Sequence, residues 1–106
     1  MRLLKYFGKP IRPKLLLRRV VGSSMSPKLA PGQLVLAINS FRRIRPGEVF
    51  IFTHDGREKI KRVERTAGSR VFFIGDNLDY SSDSRHFGWV DLNRIKGKVV
   101  WPRVHN

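Results

Sequence analysis

The sequence predicts an all-β protein, folded as a small β-barrel or a coiled β-sheet. Its apolar residues fall in about six or seven short runs, turn residues separate these runs, and almost no stretch repeats with the period of a helix. Small barrels are typically built from many short strands of this kind. A chain of 106 residues, of which 41% are hydrophobic, has room for one domain with a single modest core.

Each predicted strand is an apolar run bounded by turn residues. Pro31-Gly32 separates the first two runs, Pro46-Gly47 precedes the third, and Asp55-Gly56 is typical of a tight hairpin between the third and the fourth. Residues 75–88 are polar and rich in turn residues, which predicts a long loop, and long loops are often functional. The predicted strands are 14–21, 33–38, 48–53, 57–65, 71–74 and 95–101.

The predicted domain organisation is a basic N-terminal tail, residues 1–13, followed by a single domain, residues 14–106. Gly8, Pro10 and Pro13 interrupt the tail and disfavour a long helix there. No run of about 18 apolar residues is present, so no transmembrane helix is encoded. We therefore expect a cytoplasmic or peripherally membrane-associated protein, with the tail as a candidate contact to an anionic membrane surface.

The net charge indicates what kind of partner the protein attracts, and the cysteine content excludes several kinds of site. The formal net charge of +14 predicts attraction to an anionic partner, which could be nucleic acid, lipid headgroups or an acidic protein. The chain has no cysteine, which excludes a disulfide scaffold, a thiol nucleophile and a thiolate metal site. No cofactor and no metal are expected.

A candidate nucleophile, Ser24, lies in a tight loop rich in small residues. A serine hydroxyl becomes a good nucleophile when a base removes its proton, and backbone N–H groups of a tight loop can face the developing oxyanion. Gly22 permits unusual backbone angles, and apolar Met25 is a candidate anchor to the core. Ser23 and Ser26 are alternatives on composition alone, and a turn without chemistry is the simpler interpretation of the loop by itself.

The candidate base is a lysine on the predicted strand 57–65. A lysine serves as a general base only when burial or positive neighbours lower its pKa toward neutrality. Lys59 and Lys61 share one face of the strand. Lys61 adjoins Ile60 and lies two residues before Val63, so it is the better candidate for burial. A solvated basic strand face is the alternative.

The loop 75–88 supplies carboxylates, hydroxyls and one guanidinium. Asp83 and Arg85 are close enough in sequence to pair, because arginine offers a rigid fork that suits a carboxylate. Such a pair would hold the loop and could orient Ser81 or Ser84 toward a neighbouring amine. An Asn, Asp and Ser turn cluster without a catalytic role is the alternative.

The histidines and the aromatic residues suggest two other kinds of site. A Ser-His-Asp triad or a metal site would need His54, His86 or His105, but one lies in a hairpin turn, one near the C-terminus, and no His-Glu helix motif is present. A basic β-barrel could bind single-stranded nucleic acid through stacked aromatic side chains. Because the aromatics are not clustered with the basic runs, we interpret them as core residues and expect no specific nucleic-acid partner; they are Phe72, Phe73, Trp89 and Trp101.

Taken together and in this order, the three segments resemble the signal peptidase I family of serine–lysine endopeptidases. Residues 24–29, Ser-Met-Ser-Pro-Lys-Leu, with Gly32 after them, are similar to the family's serine motif. Residues 61–63, Lys-Arg-Val, are similar to its lysine motif. Residues 75–88 match its third motif almost position for position, with the Gly-Asp-Asn start, the Ser and Asp-Ser-Arg centre and the Phe-Gly end. The resemblance covers roughly residues 15–100.

The resemblance implies a role for each matching residue. Ser24 would be the nucleophile and Lys61 the general base, and Ser81 would hydrogen-bond the lysine amine. Asp83 and Arg85 would form an ion pair that shapes the site, with Asp76 nearby. The oxyanion loop would comprise Gly22, Ser23 and Met25, with the backbone N–H of Ser24 as a donor.

The fold implied is the family's coiled β-sheet core, which the self-cleaving SOS-type repressors share. Two positions depart from the family pattern. Gly22 stands where some members have an oxyanion serine, and Gln33 stands where the family usually has Asp. The short chain without an N-terminal anchor is similar to the maturation proteases of nickel-type superoxide dismutase.

The expected function is that of a serine endopeptidase that removes an N-terminal leader or propeptide from a protein precursor. The precursor would bind as an extended strand against a sheet edge. The alternative is a basic β-barrel that binds nucleic acid or an anionic membrane surface and carries a decayed protease site.

Overall fold

Seven antiparallel strands form the framework of the described part of the protein. The computed structural model describes residues 13–105, so residues 1–12 of the predicted tail lie outside the described residues and the expectations for the tail stay predictions. The all-β prediction is confirmed. The strands are β1 (Leu15–Arg19), β2 (Leu34–Ile38), β3 (Val49–His54), β4 (Arg57–Ala67), β5 (Arg70–Ile74), β6 (Val90–Asp91) and β7 (Ile95–Trp101).

The strands form one sheet in the order β1-β2-β7-β3-β4-β5-β6. The β3–β4 hairpin closes through the predicted Asp55-Gly56 turn, in which Asp55 has φ 54° and Gly56 has φ 74°. Two successive residues with positive φ make a type I′ turn, whose twist matches that of the flanking strands. This hairpin sets the register that places Lys61 opposite Phe50 and Ile60 opposite Ile51.

The two faces of the sheet cover two hydrophobic clusters. Because successive side chains of a strand point to opposite faces, Phe50 and Phe52 of β3 enter one cluster, while Val49 and Ile51 enter the other. The coiling of the sheet allows both faces to be covered in a chain of this size. All four side chains are buried, so β3 reads as a continuous apolar run rather than an alternating one.

Strand β1 is shorter and less buried than the apolar run 14–21 predicted. It lies at the edge of the sheet and, among the described strands, pairs with β2 alone. Leu16 and Val20 pack into the core, whereas Leu15 and Leu17 face solvent and Val21 is 90% exposed. An edge strand that is covered on one side needs apolar residues only at alternate positions. The apolar run therefore predicted more burial than the strand has.

The interpretation of the aromatic residues as core is correct for Phe73 and wrong for Trp101. Phe73 is fully buried and stacks on Phe52, whereas Trp101 is 56% exposed. Phe72, on the opposite face of β5, is half-buried against Trp89. The Arg65 guanidinium lies 4.2 Å from the Phe72 ring centroid.

The region 75–88 was predicted as a loop and contains more structure than that. A 3₁₀ turn spans Leu78–Tyr80, and the helix α1 spans Ser84–Phe87; a second 3₁₀ turn, Leu92–Arg94, precedes β7. Asp83 caps α1 by accepting a hydrogen bond from the Arg85 N–H, and His86 Nδ1 accepts one from the Asp83 N–H in return. A single helical turn is too short to show a periodic sequence pattern. The only local feature that could indicate α1 is its N-cap residue, Asp83.

Candidate active site

The Ser24 loop joins β1 to β2 and is fixed at three points. Gly22 has φ +80°, a conformation that favours glycine. Met25 is 1% exposed in the core cluster behind the loop, as the sequence predicted. The Asn77 backbone N–H donates to the Ser24 carbonyl at 2.8 Å, and the Asn77 side-chain amide donates to the Ser23 carbonyl at 3.0 Å. Ser24 itself remains half-buried, so its hydroxyl can be reached from solvent.

Lys61 reaches this hydroxyl from the middle of β4. Its Nζ lies 2.7 Å from Ser24 Oγ and donates to it. The Lys61 side chain is 6% exposed, whereas Lys59, on the same face, is only half-buried. The two residues that the sequence singled out are thus in direct contact although 37 positions separate them.

Burial changes the acidity of this amine. Burial and, to a smaller extent, the positive charge of Lys59 together lower the pKa of Lys61 from 10.5 to about 8, against the opposing pull of the Asp83 carboxylate. Burial disfavours the ammonium because a low-dielectric surrounding solvates a charge poorly. At mildly alkaline pH, therefore, a large fraction of Lys61 is neutral and able to accept the Ser24 proton.

Asp83 is fully buried and organises the third segment, residues 75–88. Its carboxylate accepts hydrogen bonds from the Gly75 N–H at 2.8 Å and from Ser81 Oγ at 2.7 Å, and it forms the predicted ion pair with Arg85 Nε at 2.9 Å. Burial alone would raise the pKa of Asp83, but the hydrogen bonds from Arg85, Gly75 and Ser81 outweigh it and lower the pKa to about 2. The carboxylate stays ionised throughout the physiological range.

The Ser81 hydroxyl bonds to Asp83 rather than to the lysine. It donates to Asp83 Oδ2, and no hydrogen bond joins it to Lys61 within the described part of the chain. Ser84, the other serine considered for this role, accepts a hydrogen bond from the Phe73 N–H at 2.8 Å. Both hydroxyls thus have other partners here, and the predicted orientation of either serine toward the lysine amine stays a prediction.

Arg62 is a site residue that the sequence did not single out by itself. Its side chain is 5% exposed and forms a two-pronged ion pair with Asp76, at 2.8 Å from Nε and 2.7 Å from Nη2. Its remaining donors reach the carbonyls of Gly47, Val104 and His105. Because Arg62 follows Lys61 directly, this clamp fixes the strand that carries the candidate base. The Lys-Arg pair of the lysine motif was the available signal.

Gly75 is a second residue on which the site depends and whose importance the sequence alone did not indicate. A Cβ at this position would lie 2.1 Å from Ser81 Oγ and 2.8 Å from the Ser24 carbonyl oxygen. Such distances are far below contact distance, so only glycine allows the third segment to pack against the serine loop. Its place at the start of the Gly-Asp-Asn motif was the signal.

The histidines take structural places. The His54 ring stacks on Phe87 with centroids 3.9 Å apart, His86 caps α1, and the His105 carbonyl accepts from Arg62. None of the three hydrogen-bonds Ser24 in the described residues. Across residues 13–105, no group of three His, Asp or Glu side chains is arranged to hold a metal ion.

A groove of about 310 Å³ runs beside the Ser24–Lys61 contact. Its walls are two strand edges that have no partner strand among residues 13–105. Strand β1 pairs there with β2 alone, and β4 pairs with β5 only from Arg62 onward, which leaves the edge Arg57–Lys61 free. The sheet coils so far that Arg18 of β1 forms an ion pair with Glu58 of β4 at 2.6 Å. The groove therefore offers backbone donors and acceptors on both sides.

Comparison with known proteins identifies the family. Residues 5–100 match the family described as Peptidase S24-like. The chain belongs to the Peptidase S24-like family. A stretch of 48 residues of this chain is 44% identical to signal peptidase I of Bacillus caldolyticus, and it covers 42% of this chain and 26% of that protein. A stretch of 38 residues, 33% of this chain and 24% of the relative, is 47% identical to mitochondrial inner membrane protease subunit 1 of Schizosaccharomyces pombe (strain 972 / ATCC 24843).

Membership of the Peptidase S24-like family confirms the resemblance to the signal peptidase I family that the motifs indicated. It supports a peptidase of the signal peptidase type. The matched stretches span about a quarter of the length of either curated relative. Among residues 13–105, no helix has the length and apolar character needed to cross a membrane.

Proposed function

We propose that the protein is a serine endopeptidase in which Ser24 is the nucleophile and Lys61 the general base. The observation that carries the proposal is the 2.7 Å contact between Lys61 Nζ and Ser24 Oγ. A contact of this length suits proton transfer between the two atoms. The buried amine, with its pKa lowered to about 8, is a base of suitable strength.

In the first half of the reaction, neutral Lys61 takes the Ser24 proton while Oγ bonds to the carbonyl carbon of the scissile peptide. The tetrahedral intermediate collapses, the carbon–nitrogen bond breaks, and the leaving amine receives the proton from the Lys61 ammonium. In the second half, Lys61 takes a proton from water as the water oxygen attacks the acyl ester. The ester bond then breaks and Ser24 regains its proton.

We propose a protein precursor as the substrate, from which a leader or propeptide is removed. An extended segment of the precursor would add as a strand at the free edge Arg57–Lys61, so that its backbone hydrogen-bonds the edge and its scissile carbonyl meets Ser24. The groove beside this edge, open and about 310 Å³ in volume, supports such a binding mode.

The test is incubation of candidate precursors with the protein and with Ser24→Ala, with the cut sites located by mass spectrometry. Ser24→Ala and Lys61→Ala should each lower cleavage by orders of magnitude, because residues that act as a unit are each indispensable. Ser26→Ala is the matched control, since Ser26 lies in the same loop and no hydrogen bond joins it to Lys61 among residues 13–105. Cleavage by Ser24→Ala at the wild-type rate would disprove the proposed nucleophile.

A binding module with a decayed protease site remains the competing function, and the net charge of +14 is the observation that favours it. It predicts salt-dependent binding of single-stranded nucleic acid or anionic vesicles without any peptide cleavage. The same preparations, assayed for cleavage and for binding at low and high salt, separate the two functions.

A further inference from the structure

The groove beside Ser24 has an uneven charge. Its walls carry five basic side chains, from Arg18, Arg19, Arg57, Lys59 and Lys61, against one acidic side chain, that of Glu58. Glu58 is already engaged, because Arg18 lies 2.6 Å from one of its oxygens and Lys96 lies 2.9 Å from the other. The single carboxylate of the groove therefore leaves the other cations uncompensated.

Three of these cations have no acidic partner among residues 13–105. Arg19 donates to the Gly32 carbonyl alone, and Arg57 is exposed and makes no side-chain hydrogen bond. The Lys59 ammonium rests 5.7 Å from the Phe87 ring centroid, without a carboxylate. Arg19 belongs to the β1 wall and the other two to the β4 wall, so both walls contain residues with uncompensated positive charge.

The β4 wall also has a definite spacing. Arg57, Lys59 and Lys61 occupy alternate positions of a strand, and side chains at alternate positions of an extended segment repeat about every 7 Å. A substrate strand paired to this edge has the same repeat. Side chains two and four residues from its scissile bond therefore fall beside Lys59 and Arg57, respectively.

We propose that the substrate of this site is an acidic peptide segment, with carboxylate side chains at alternate positions beside the scissile bond that pair with Arg57 and, across the groove, with Arg19. The proposal rests on the proposed function, because it names the substrate class of the same site. Arginine suits this task because its rigid fork binds a carboxylate through two parallel hydrogen bonds.

The two positions on the β4 wall should not be equivalent. A carboxylate beside Lys59 cancels the positive charge that helps to keep Lys61 neutral. A carboxylate beside Arg57, about 13 Å along the strand from Lys61, lies beyond the screening length of about 8 Å at physiological salt and leaves the base unchanged. Glu at the nearer position should therefore move the alkaline limb of kcat/KM to higher pH, and Glu at the farther position should not.

The experiment uses fluorescence-quenched ten-residue peptides with a central alanine pair and Glu or Gln two and four residues from it on either side. We expect Glu at the positions that pair with Arg57 and Arg19 to raise kcat/KM about tenfold over Gln. The same Glu residues should tighten binding to Ser24→Ala by a similar factor. Both effects should shrink at 500 mM NaCl, because salt screens exposed ion pairs.

The matched variants locate the effect. Arg19→Gln/Arg57→Gln should reduce the preference for Glu to less than about twofold. Arg42→Gln/Arg43→Gln, which removes the same charge from exposed positions outside the groove, should retain it. Equal rates for Glu and Gln peptides, or a preference that survives Arg19→Gln/Arg57→Gln, would overturn the acidic specificity.

The outcomes also separate this proposal from the proposed function. Cleavage of Glu and Gln peptides at equal rates would leave the peptidase in place and remove the specificity. Selective binding of Glu peptides that depends on Arg19 and Arg57, without cleavage of any peptide by the wild-type protein, would remove the peptidase and leave an acidic-peptide site.

Discussion

The buried amine of Lys61 should cost the folded protein stability at neutral pH, and Lys61→Met should recover most of that cost. A pKa lowered from 10.5 to about 8 corresponds to about 3 kcal/mol, at about 1.4 kcal/mol for each tenfold change. Methionine keeps much of the side-chain length without the charge. It loses the hydrogen bond to Ser24, worth about 1 kcal/mol. We therefore expect Lys61→Met to be about 2 kcal/mol more stable at pH 7.

The pH dependence identifies the cause. Below pH 8 both the folded and the unfolded Lys61 are protonated, so the full cost is present. Between pH 8 and 10.5 the unfolded chain binds more protons than the folded one, and the stability of the wild type rises with pH. The advantage of Lys61→Met should therefore vanish, and then reverse slightly, as the pH approaches 10.5.

Urea unfolding of both proteins from pH 6 to 10.5 provides the measurement. Lys59→Met serves as a control, because the half-buried Lys59 side chain should give a much smaller difference. The reasoning is refuted if Lys61→Met is less stable than the wild type at pH 7, or if its advantage does not change with pH. The gain in stability should accompany the loss of cleavage, as is common when an active-site group is removed.

Three more outcomes follow from the site. Lys59→Gln should move the alkaline limb of the pH–rate profile to higher pH, because removing a positive neighbour raises the pKa of Lys61; an unchanged limb contradicts this. Gly75→Ala should lower the free energy of unfolding by about 1–3 kcal/mol, since its Cβ would lie 2.1 Å from Ser81 Oγ; an unaltered urea midpoint would argue against that packing. Asp83→Asn should lower the free energy of unfolding by about 3 kcal/mol at pH 7. The difference in stability between the variant and the wild type should fall as the pH drops below 3.8 toward 2, where the wild-type carboxylate takes up its proton. Unfolding of both proteins measured across this acid range checks the prediction.

Much of the fold was predictable because each strand is a local pattern. The apolar runs and the turn residues between them place six of the seven strands, and the run 95–101 matches β7 at both ends. The two-residue strand β6 and the single turn of α1 are too short for any periodicity. Their formation depends on tertiary partners, such as the Asp83 cap, that a local pattern does not contain.

The site divides in the same way. Ser24 and Lys61 were predictable because a family motif surrounds each of them. The part played by Arg62 was not, because its four partners come from the segments around residues 47, 76 and 104–105, which only the fold brings together. The Ser81 hydroxyl bonds to Asp83 rather than to the lysine, and no sequence pattern specifies that choice of side-chain placement.

The guanidinium of Arg62 also has a consequence for how the molecule opens. It ties β4, the turn before β3, the third segment and the residues 104–105 into one hydrogen-bonded unit. Segments that share such a hub tend to exchange their amide hydrogens together, as one cooperative unit. The Asn77 amide, which holds the Ser24 loop, should therefore exchange at the rate of the Val63 amide in β4. Local unfolding near residue 104 would therefore also loosen the loop that carries Ser24.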